Sequence, residues 1–274
     1  MLGLTDGRRT WKLRRCETLP EVGEPPALDP PSLVSSRLEG RVVRRHDLPS
    51  GTRRGMWGLL TQHFVNAERQ RFDRDLDEKE WVVLLEDPDS GRLRGFSTIQ
   101  RIEARIGGRP AVAYYSGDTI VQQGFWGERV LPILWSRHVF GLASAEPTPA
   151  YWFLISSGYK TYRFLPVFFR EFYPRWDRPT PSEAKRLLDA FGRLKFSGEY
   201  DPARGVVSFA EPAPLRRGVA DLTAGRLADP HVAFFAAANP GHERGDELAC
   251  LTELCAANVT PAGRRALGLP RLRG

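Results

Sequence analysis

The join between a predicted strand and the helix after it offers the clearest chemistry in this sequence. The turn runs from Gln122 to Gly127, and apolar residues at helical spacing begin directly after it. A helix that opens in this way exposes unpaired backbone N–H groups at the positive end of its dipole, which is a site for phosphate. The alternative is a tight turn that needs glycine for its backbone alone, because the lysine of a Walker loop and the full glycine set of a dinucleotide fold are absent.

One carboxylate, Asp118, lies shortly before this turn, near the end of the predicted strand. An acid in that position can accept a proton as a general base or orient an amine, directly or through water. It can equally cap the adjacent turn. Glu80 and His138 are weaker alternatives for the base, and His138 also fits a helix surface or the edge of the core. No Ser–His–Asp or Cys–His spacing stands out, so a covalent intermediate on the protein is not expected.

The elements that position these residues follow from hydrophobic periodicity. Strands are predicted at 41–44, 81–85, 93–104 and 111–121, with an amphipathic helix at 51–66 and a charged helix or loop at 68–78. The last three strands form an antiparallel meander. Helices are predicted at 128–142 and 159–173, on either side of a buried strand at 151–155. This mixed order indicates an α+β fold with α/β/α layers.

The two ends of the chain are less regular. Residues 1–38 contain two Pro-Pro pairs and no sustained periodicity, so we predict an extended N-terminal arm. The domain is assigned to 39–262, with a helix at 182–194, a short strand at 206–209 and two further strands at 232–238 and 247–254. The last two are expected to pair across the loop at 239–242. Residues 263–274 are predicted to be a loose basic tail.

Over residues 41–173 the chain resembles the GCN5-related N-acetyltransferase (GNAT) superfamily, in a bacterial branch. The join of strand, loop and helix at 120–131 carries the resemblance to the superfamily, and the segments 115–119, 152–162, 239–241 and 245–248, the last two beyond that range, carry the resemblance to the branch. Gly127 occupies the first glycine of the family's pyrophosphate loop, whereas Trp126 stands where arginine is usual and Arg129 replaces the second glycine. The resemblance implies a GNAT-like mixed sheet with splayed fourth and fifth strands, and a C-terminal insertion at about 175–230.

The resemblance also implies an activity, a cofactor and a set of site residues. The implied reaction moves an acyl group from acyl-CoA, or from acyl-phosphopantetheine on a carrier protein, to an amine by direct attack on the thioester. Asp118 is our choice for the base, and Tyr162, or less well Tyr159, would protonate the departing thiolate. The candidate cofactor-binding residues are Thr119, Ile120, Val121, Gln122, Gln123, Trp126, Gly127, Glu128, Arg129, Ser156 and Ser157.

The predicted helix at 159–173 is unusually aromatic, with Phe164 and Phe168 among its residues. Most of these side chains are expected to belong to the core. The alternative is a wide apolar tunnel for a long acyl chain, in which each buried methylene contributes about 0.8 kcal/mol. The acceptor would be an amine-bearing small molecule or a lipid precursor. A catalytically silent GNAT-like module that binds a ligand or partner stays open, because the phosphate loop departs from the family's pattern.

Charge and composition limit the classes of partner that this chain is expected to bind. The 274 residues carry a net charge of +7, which suits an anionic partner such as an acyl carrier protein, although arginine-rich composition also follows from GC-rich coding. Nucleic acid is not expected, because the aromatic residues fall in apolar runs instead of alternating with arginine. The cysteines form no CxxC pair, so no metal is predicted. With no apolar run near the roughly 18 residues of a membrane span, a cytoplasmic location is expected.

Overall fold

The computed structural model describes residues 36–267. Most of the predicted arm, residues 1–35, and the part of the predicted basic tail beyond residue 267 lie outside these described residues. Residues 263–266, which were assigned to the tail, belong to a short helix. None of the described helices is long and apolar enough to span a membrane.

A mixed sheet forms the centre of the described chain. Its strands are β1 (Glu39–Arg44), β2 (Trp81–Glu86), β3 (Leu93–Ile106), β4 (Arg109–Val121), β5 (Ala150–Ser156), β6 (Phe172–Tyr173), β7 (Tyr200–Asp201), β8 (Val206–Val207) and β9 (Glu247–Glu253). The order across the sheet is β1-β2-β3-β4-β5-β9-β8-β7, with β6 paired to β9. Strands β4 and β5 are parallel, and the other paired strands are antiparallel. The predicted meander is therefore confirmed as β2-β3-β4.

Helices cover both faces of this sheet. They are α1 (Ser50–His63), α2 (Arg69–Asp77), α3 (Val130–Ser144), α4 (Tyr159–Tyr162), α5 (Phe164–Phe168), α6 (Ser182–Lys195), α7 (Ala224–Leu227), α8 (Pro230–Ala238) and α9 (Pro261–Ala266). Alternate side chains of β2 enter different cores: Val83 joins the cluster that contains α3, α4 and α8, and Val82 joins the one with α1 and α2. A third cluster packs α6 against Tyr115 and Phe153. The α+β fold with α/β/α layers is confirmed.

The single helix predicted at 159–173 is wrong. The structure has two short helices, α4 and α5, and residues 172–173 form β6. Pro166 explains the interruption, because proline has no N–H to bond the carbonyl of Tyr162 one turn earlier, and its ring crowds that carbonyl. The chain leaves the helical path at Phe169, which is extended.

The strand predicted at 232–238 is also wrong, since these residues belong to helix α8. An apolar run without clear periodicity does not distinguish a strand from a buried helix. The local start signals favour a helix: Pro230 occupies the first turn, and the Asp229 carboxylate accepts a hydrogen bond from the N–H of His231 at 2.9 Å. The strand predicted at 247–254 is present as β9, but it pairs with β5. The insertion at about 175–230 contains α6, β7, β8 and α7, and its status as an insertion stays a prediction.

Strands β4 and β5 part along their length. They pair at five positions, from Val112 with Ala150 to Ser116 with Leu154, and then both continue without a partner between them. The β3–β4 register shifts by one residue near Gly117, so β4 carries a bulge there, and a bulge bends its strand. A Cβ on Gly117 would lie 2.6 Å from Thr98 Oγ1, which requires glycine at this point. The parted strands, the helix after β4 and the strand order agree with the GNAT-like fold predicted from the sequence.

Candidate active site

A cavity of about 370 Å³ occupies the gap between the parted strands. Residues of both helical layers line it, so the cavity reaches from one face of the sheet to the other through the gap. We call the end on the face of α1, α2 and α6 the polar end, because it is lined by the acids and bases around Asp118, Glu247 and Arg71. We call the opposite end, lined by aromatic residues of α3, β5 and α5, the aromatic end.

Two carboxyl groups at the polar end have a pKa close to neutral pH. Burial, reinforced by the negative charge of Asp75, raises the pKa of Asp118 to about 7. Burial also raises the pKa of Glu247 to about 7, with a further contribution from the charge of Asp118 and an opposing hydrogen bond from Ser157. A carboxylate with a pKa near the working pH is suited to general acid–base catalysis, because it can both take and release a proton.

A buried ion pair between Lys79 and Asp75 lies close to these carboxyl groups. The Nζ of Lys79 donates to Asp75 Oδ1 at 2.6 Å, and the Lys79 side chain is fully buried. Burial raises the pKa of Asp75, but the charges of Lys79 and Lys195 more than offset it, and that pKa lies below its usual range. Burial lowers the pKa of Lys79, and Asp75 opposes this. Asp75 is thus a fixed negative charge beside Asp118.

Removing Lys79 should destabilise the fold. We expect Lys79→Met to lower the free energy of unfolding by about 3 kcal/mol, because breaking the buried pair leaves the charge of Asp75 with only the more distant ammonium of Lys195. Urea denaturation measures the change, and Lys185→Met, which removes an ammonium from a pair on α6 with a half-exposed lysine, should cost less than half as much. A loss below 1 kcal/mol for Lys79→Met would contradict the assigned role of the pair.

The aromatic end is a continuous apolar wall. The rings of Trp135 and Trp152 lie 4.6 Å apart between centroids, and Phe169 lies 5.8 Å from Trp152. Trp152 is oriented by its Nε1, which donates to Ser116 Oγ at 2.9 Å. Phe164 and Phe168 complete the wall, with their ring centroids 5.4 Å apart. No charged side chain lines this end among the described residues.

The predicted phosphate loop lies beside the free end of β4. Gly127 has φ +98°, so glycine is needed there for its backbone. Helix α3 begins at Val130 without a side-chain cap, and the N–H groups of Val130 and Leu131 have no partner within the helix, while Pro132 carries no N–H. Trp126 is turned back so that its Nε1 donates to the Val121 carbonyl at 2.8 Å, and the Lys160 ammonium lies 3.6 Å from the centre of its ring. A basic group therefore stands next to the loop.

The structure brings some of the predicted cofactor-binding residues to the cavity. Thr119, Ile120 and Ser157 line it together with Asp118. Ser156, the last residue of β5, is fully buried and does not line the cavity. The carbonyl of Val121 already faces the Nε2 of His63 as well as the Trp126 ring.

The remaining predicted residues surround the loop. Gln122 accepts a hydrogen bond from Arg94, and Gln123 begins a short 3-10 helix. Glu128 accepts hydrogen bonds from Ser36 and Arg37, and Arg129 donates to the carbonyl of Arg265. Their contacts with a cofactor stay predictions.

The two tyrosines assigned as acids lie elsewhere. The Tyr162 hydroxyl donates to the Pro174 carbonyl at 3.0 Å, and its ring is buried against Phe172 and Phe235. Tyr159 is buried in the same cluster. Neither lines the cavity: the Tyr162 ring packs against α8, and the Tyr159 ring lies beside Arg226 of α7. A role of Tyr162 or Tyr159 as the thiolate acid therefore does not fit this geometry, and Glu80 and His138 also lie outside the lining.

Several residues of the cavity are missing from the sequence prediction. Glu247 starts β9 more than a hundred residues after Asp118, and Tyr115 and Asp75 come from β4 and α2. A charged residue directly before the apolar run 248–251 was the available signal for Glu247. The helix α2 is so strongly charged that nothing singled out Asp75. Among residues 36–267, no group of His, Cys, Asp and Glu is placed to hold a metal ion.

Comparisons with known proteins return solved structures. No family model and no curated protein matches the chain. A protein of Enterococcus faecalis V583 described as a probable N-acyltransferase is 16% identical, with 51% of this chain and 37% of that one covered and a TM-score of 0.37. The GNAT family N-acetyltransferase YhbS of Escherichia coli, in complex with CoA, is 16% identical over 49% of this chain and 69% of that one (TM-score 0.36). Saccharomyces cerevisiae N-myristoyltransferase with bound myristoyl-CoA is 12% identical over 51% and 37% (TM-score 0.36).

The matched region thus spans about a third of the length of the first and third of these proteins. Their descriptions name the family or the kind of activity that the sequence resemblance implied. At this level of similarity, the function has to be argued from the site of the chain itself.

Proposed function

We propose that this chain is an N-acyltransferase that moves an acyl group from a thioester, carried by CoA or by a carrier protein, to an amine. The observation that carries the proposal is the cavity through the sheet, with a proton-accepting carboxylate at one end and an apolar wall at the other. An amine can reach Asp118 from the polar end while a thioester enters from the opposite face. The two reactants would meet in the gap between β4 and β5, and holding them there accelerates the reaction.

The residues present fit a pantetheine thioester. The unpaired edges of β4 and β5 beyond Ser116 and Leu154 offer backbone groups to the amides of the pantetheine arm. The uncapped start of α3, with Lys160 nearby, offers N–H groups and positive charge to the phosphates. When bound, the thioester supplies an activated acyl carbon with a thiolate as leaving group.

The carboxylates would accept the proton that the acceptor amine loses. An amine in water is mostly protonated, so the site must remove a proton before the nitrogen can attack. Asp118 would take it, and its raised pKa means that the carboxylate binds the proton well enough to compete at neutral pH. Glu247, with a similar pKa, would share the proton or pass it to solvent.

The aromatic end supports a donor longer than acetyl. Its wall of Trp135, Trp152, Phe164 and Phe168 offers apolar contact well beyond what two carbon atoms need. Each methylene buried there would contribute about 0.8 kcal/mol. The prediction of a long-chain donor, made from the aromatic segment after β5, is retained in this form.

A catalytically silent binding module is the second candidate. The loop before α3 uses several of its own amides internally: the N–H groups of Phe125, Trp126 and Glu128 donate to carbonyls of the loop. Fewer groups are then left to hold a pyrophosphate. A module of this kind would bind a thioester without turnover.

Ligand-dependent stabilisation tests the proposal. We expect free CoA and acyl-CoA to raise the melting temperature by several degrees, since ligand at about a hundred times its Kd adds roughly 2.7 kcal/mol. Lys160→Glu should reduce the shift, whereas Arg105→Glu, an exposed charge at the far hairpin of β3 and β4, should retain it. Release of free thiol in the presence of amines separates an enzyme from a silent module. If neither a CoA species nor an acyl carrier protein shifts the melting temperature, the proposal fails.

A further inference from the structure

The charges around the cavity are distributed unevenly. All of the ionisable residues that line it lie at the polar end, where seven carboxylates face three cationic side chains. This is opposite to the chain as a whole, whose net charge is +7. Walls that carry one sign of charge concentrate ligands of the other sign.

The cations at the polar end are largely engaged. Lys195 pairs with Asp75 and Glu78. Arg71 donates to the backbone carbonyl of Glu211 at 2.9 Å, and its guanidinium lies 3.8 Å from the centre of the Phe209 ring. Arg74 is the third, and it is exposed on α2. These side chains neutralise only part of the negative charge.

Three carboxylates at the rim have no ion-pair partner among the described residues. They are Glu68 at the start of α2, Glu199 after α6 and Glu211 in the segment that follows β8, and all three are exposed. They approach the mouth from three separate segments of the chain. The three are exposed whereas Asp118 is half-buried, so a ligand with one cation at Asp118 and a second at the rim must extend along the cavity.

A hydroxyl that opens into the cavity points to a ligand independently of these charges. Tyr115 is 4% exposed and lines the polar end, yet its hydroxyl has no hydrogen-bond partner in the described chain. Its ring packs against Phe153 and Phe196, with the Lys195 ammonium 5.3 Å from its centre. Burial and the negative charges of Asp75, Glu247 and Asp118 raise the pKa of this hydroxyl, so it stays protonated. With no protein partner and an open side towards the cavity, this hydroxyl can donate to or accept from a bound ligand.

We propose that the acceptor is an amine with at least two cationic nitrogens, a diamine or polyamine. The reacting nitrogen lies among Asp118, Glu247 and the Tyr115 hydroxyl, and the second cation lies among Glu68, Glu199 and Glu211 at the rim. This rests on the proposed function for its reaction, but the binding preference is a property of the polar end alone.

Equilibrium binding of three amines of matched length tests the proposal. Cadaverine, pentylamine and δ-aminovalerate share a five-carbon chain and differ in the group at the far end, which is cationic, apolar or anionic. Calorimetric titration of the protein without a donor should give cadaverine about tenfold tighter binding than pentylamine, with δ-aminovalerate the weakest, and added salt should reduce the difference.

Two variants assign the preference to the named residues. The triple variant Glu68→Gln, Glu199→Gln, Glu211→Gln should lose the tenfold advantage of cadaverine, and Glu243→Gln, an exposed carboxylate outside the lining, should keep it. Tyr115→Phe should weaken cadaverine and pentylamine by similar factors, because its hydroxyl serves the nitrogen that both share.

The inference is overturned if pentylamine or δ-aminovalerate binds as tightly as cadaverine, or if none of the three binds. Failure of the proposed function is a different result, because it is read from the melting-temperature shift and the thiol release with the donor. A protein that responds to CoA but does not prefer the diamine would retain the proposed function and lose this inference.

Discussion

Asp118→Asn should lower kcat/KM for acyl transfer by about a hundred- to ten-thousandfold, the range typical of a lost general base. Asparagine keeps the size of the side chain but cannot take a proton from the acceptor ammonium. The melting-temperature shift with CoA should stay at its wild-type value, because Asp118 lies at the polar end of the cavity. Thiol release at saturating donor measures the loss.

The pH profile separates a base from a merely structural carboxylate. Because burial raises the pKa of Asp118 to about 7, wild-type kcat/KM should increase with pH up to that point and then level off. Asp118→Asn should remove or displace this limb, and Glu247→Gln should displace it if the two carboxyl groups share a proton. Full turnover in Asp118→Asn would show that the base has been misassigned.

Asp118→Asn, which lowers activity, should increase the thermal stability of the fold at high pH. The pKa of Asp118 in the folded chain lies above that of a solvated aspartate, so the folded state holds the proton more tightly. The stabilisation from this proton is complete below about pH 4 and is lost as the pH rises through 7. Asp118→Asn should therefore melt at a higher temperature than wild type at pH 8.

Donor chain length should have the second large effect. We expect octanoyl-CoA to be preferred over acetyl-CoA by at least about a hundredfold in kcat/KM, since several methylenes enter the aromatic end at about 0.8 kcal/mol each. Phe164→Ser should reduce this preference about tenfold by placing a hydroxyl in the wall. Val167→Ser is the matched control, because it removes an exposed apolar side chain from the same helix, α5, outside the lining.

Equal kcat/KM values for acetyl-CoA and octanoyl-CoA would contradict the long-chain assignment. A preference for octanoyl-CoA that is unchanged in Phe164→Ser but lost in Val167→Ser would place the acyl chain on the outer surface of α5. In either case the transfer reaction itself would remain to be judged from the Asp118 variants.

The first five strands and the helices among them were predictable from the sequence, because their signals are local. Alternating or continuous apolar runs between turn residues define β2 to β5, and Met56, Leu59 and Leu60 mark the buried face of α1. The break at Pro166 was also local, but the run of aromatic residues around it outweighed the proline. The residues of α8 had no usable periodicity, and only their start signals distinguished a helix from a strand.

The site was predictable only in part, because it is assembled from distant segments. Asp118 stood out through its position before the glycine turn. Glu247 and Asp75 become neighbours of Asp118 only when β9 and α2 are packed against opposite sides of the gap. The orientation of Tyr162 towards Pro174 depends on where α8 lies, which its own sequence neighbourhood does not encode.

The short pairing of β4 with β5 divides the sheet into two plates, one built from β1 to β4 and the other from β5, β9 and the strands beyond. Five residue pairs join them, all towards one end. The amides of a donor bound between the plates would hydrogen-bond to both β4 and β5. The bound donor would then take the place of an additional strand in the sheet. When the product leaves, these added hydrogen bonds would be lost, and only the five residue pairs would join the plates.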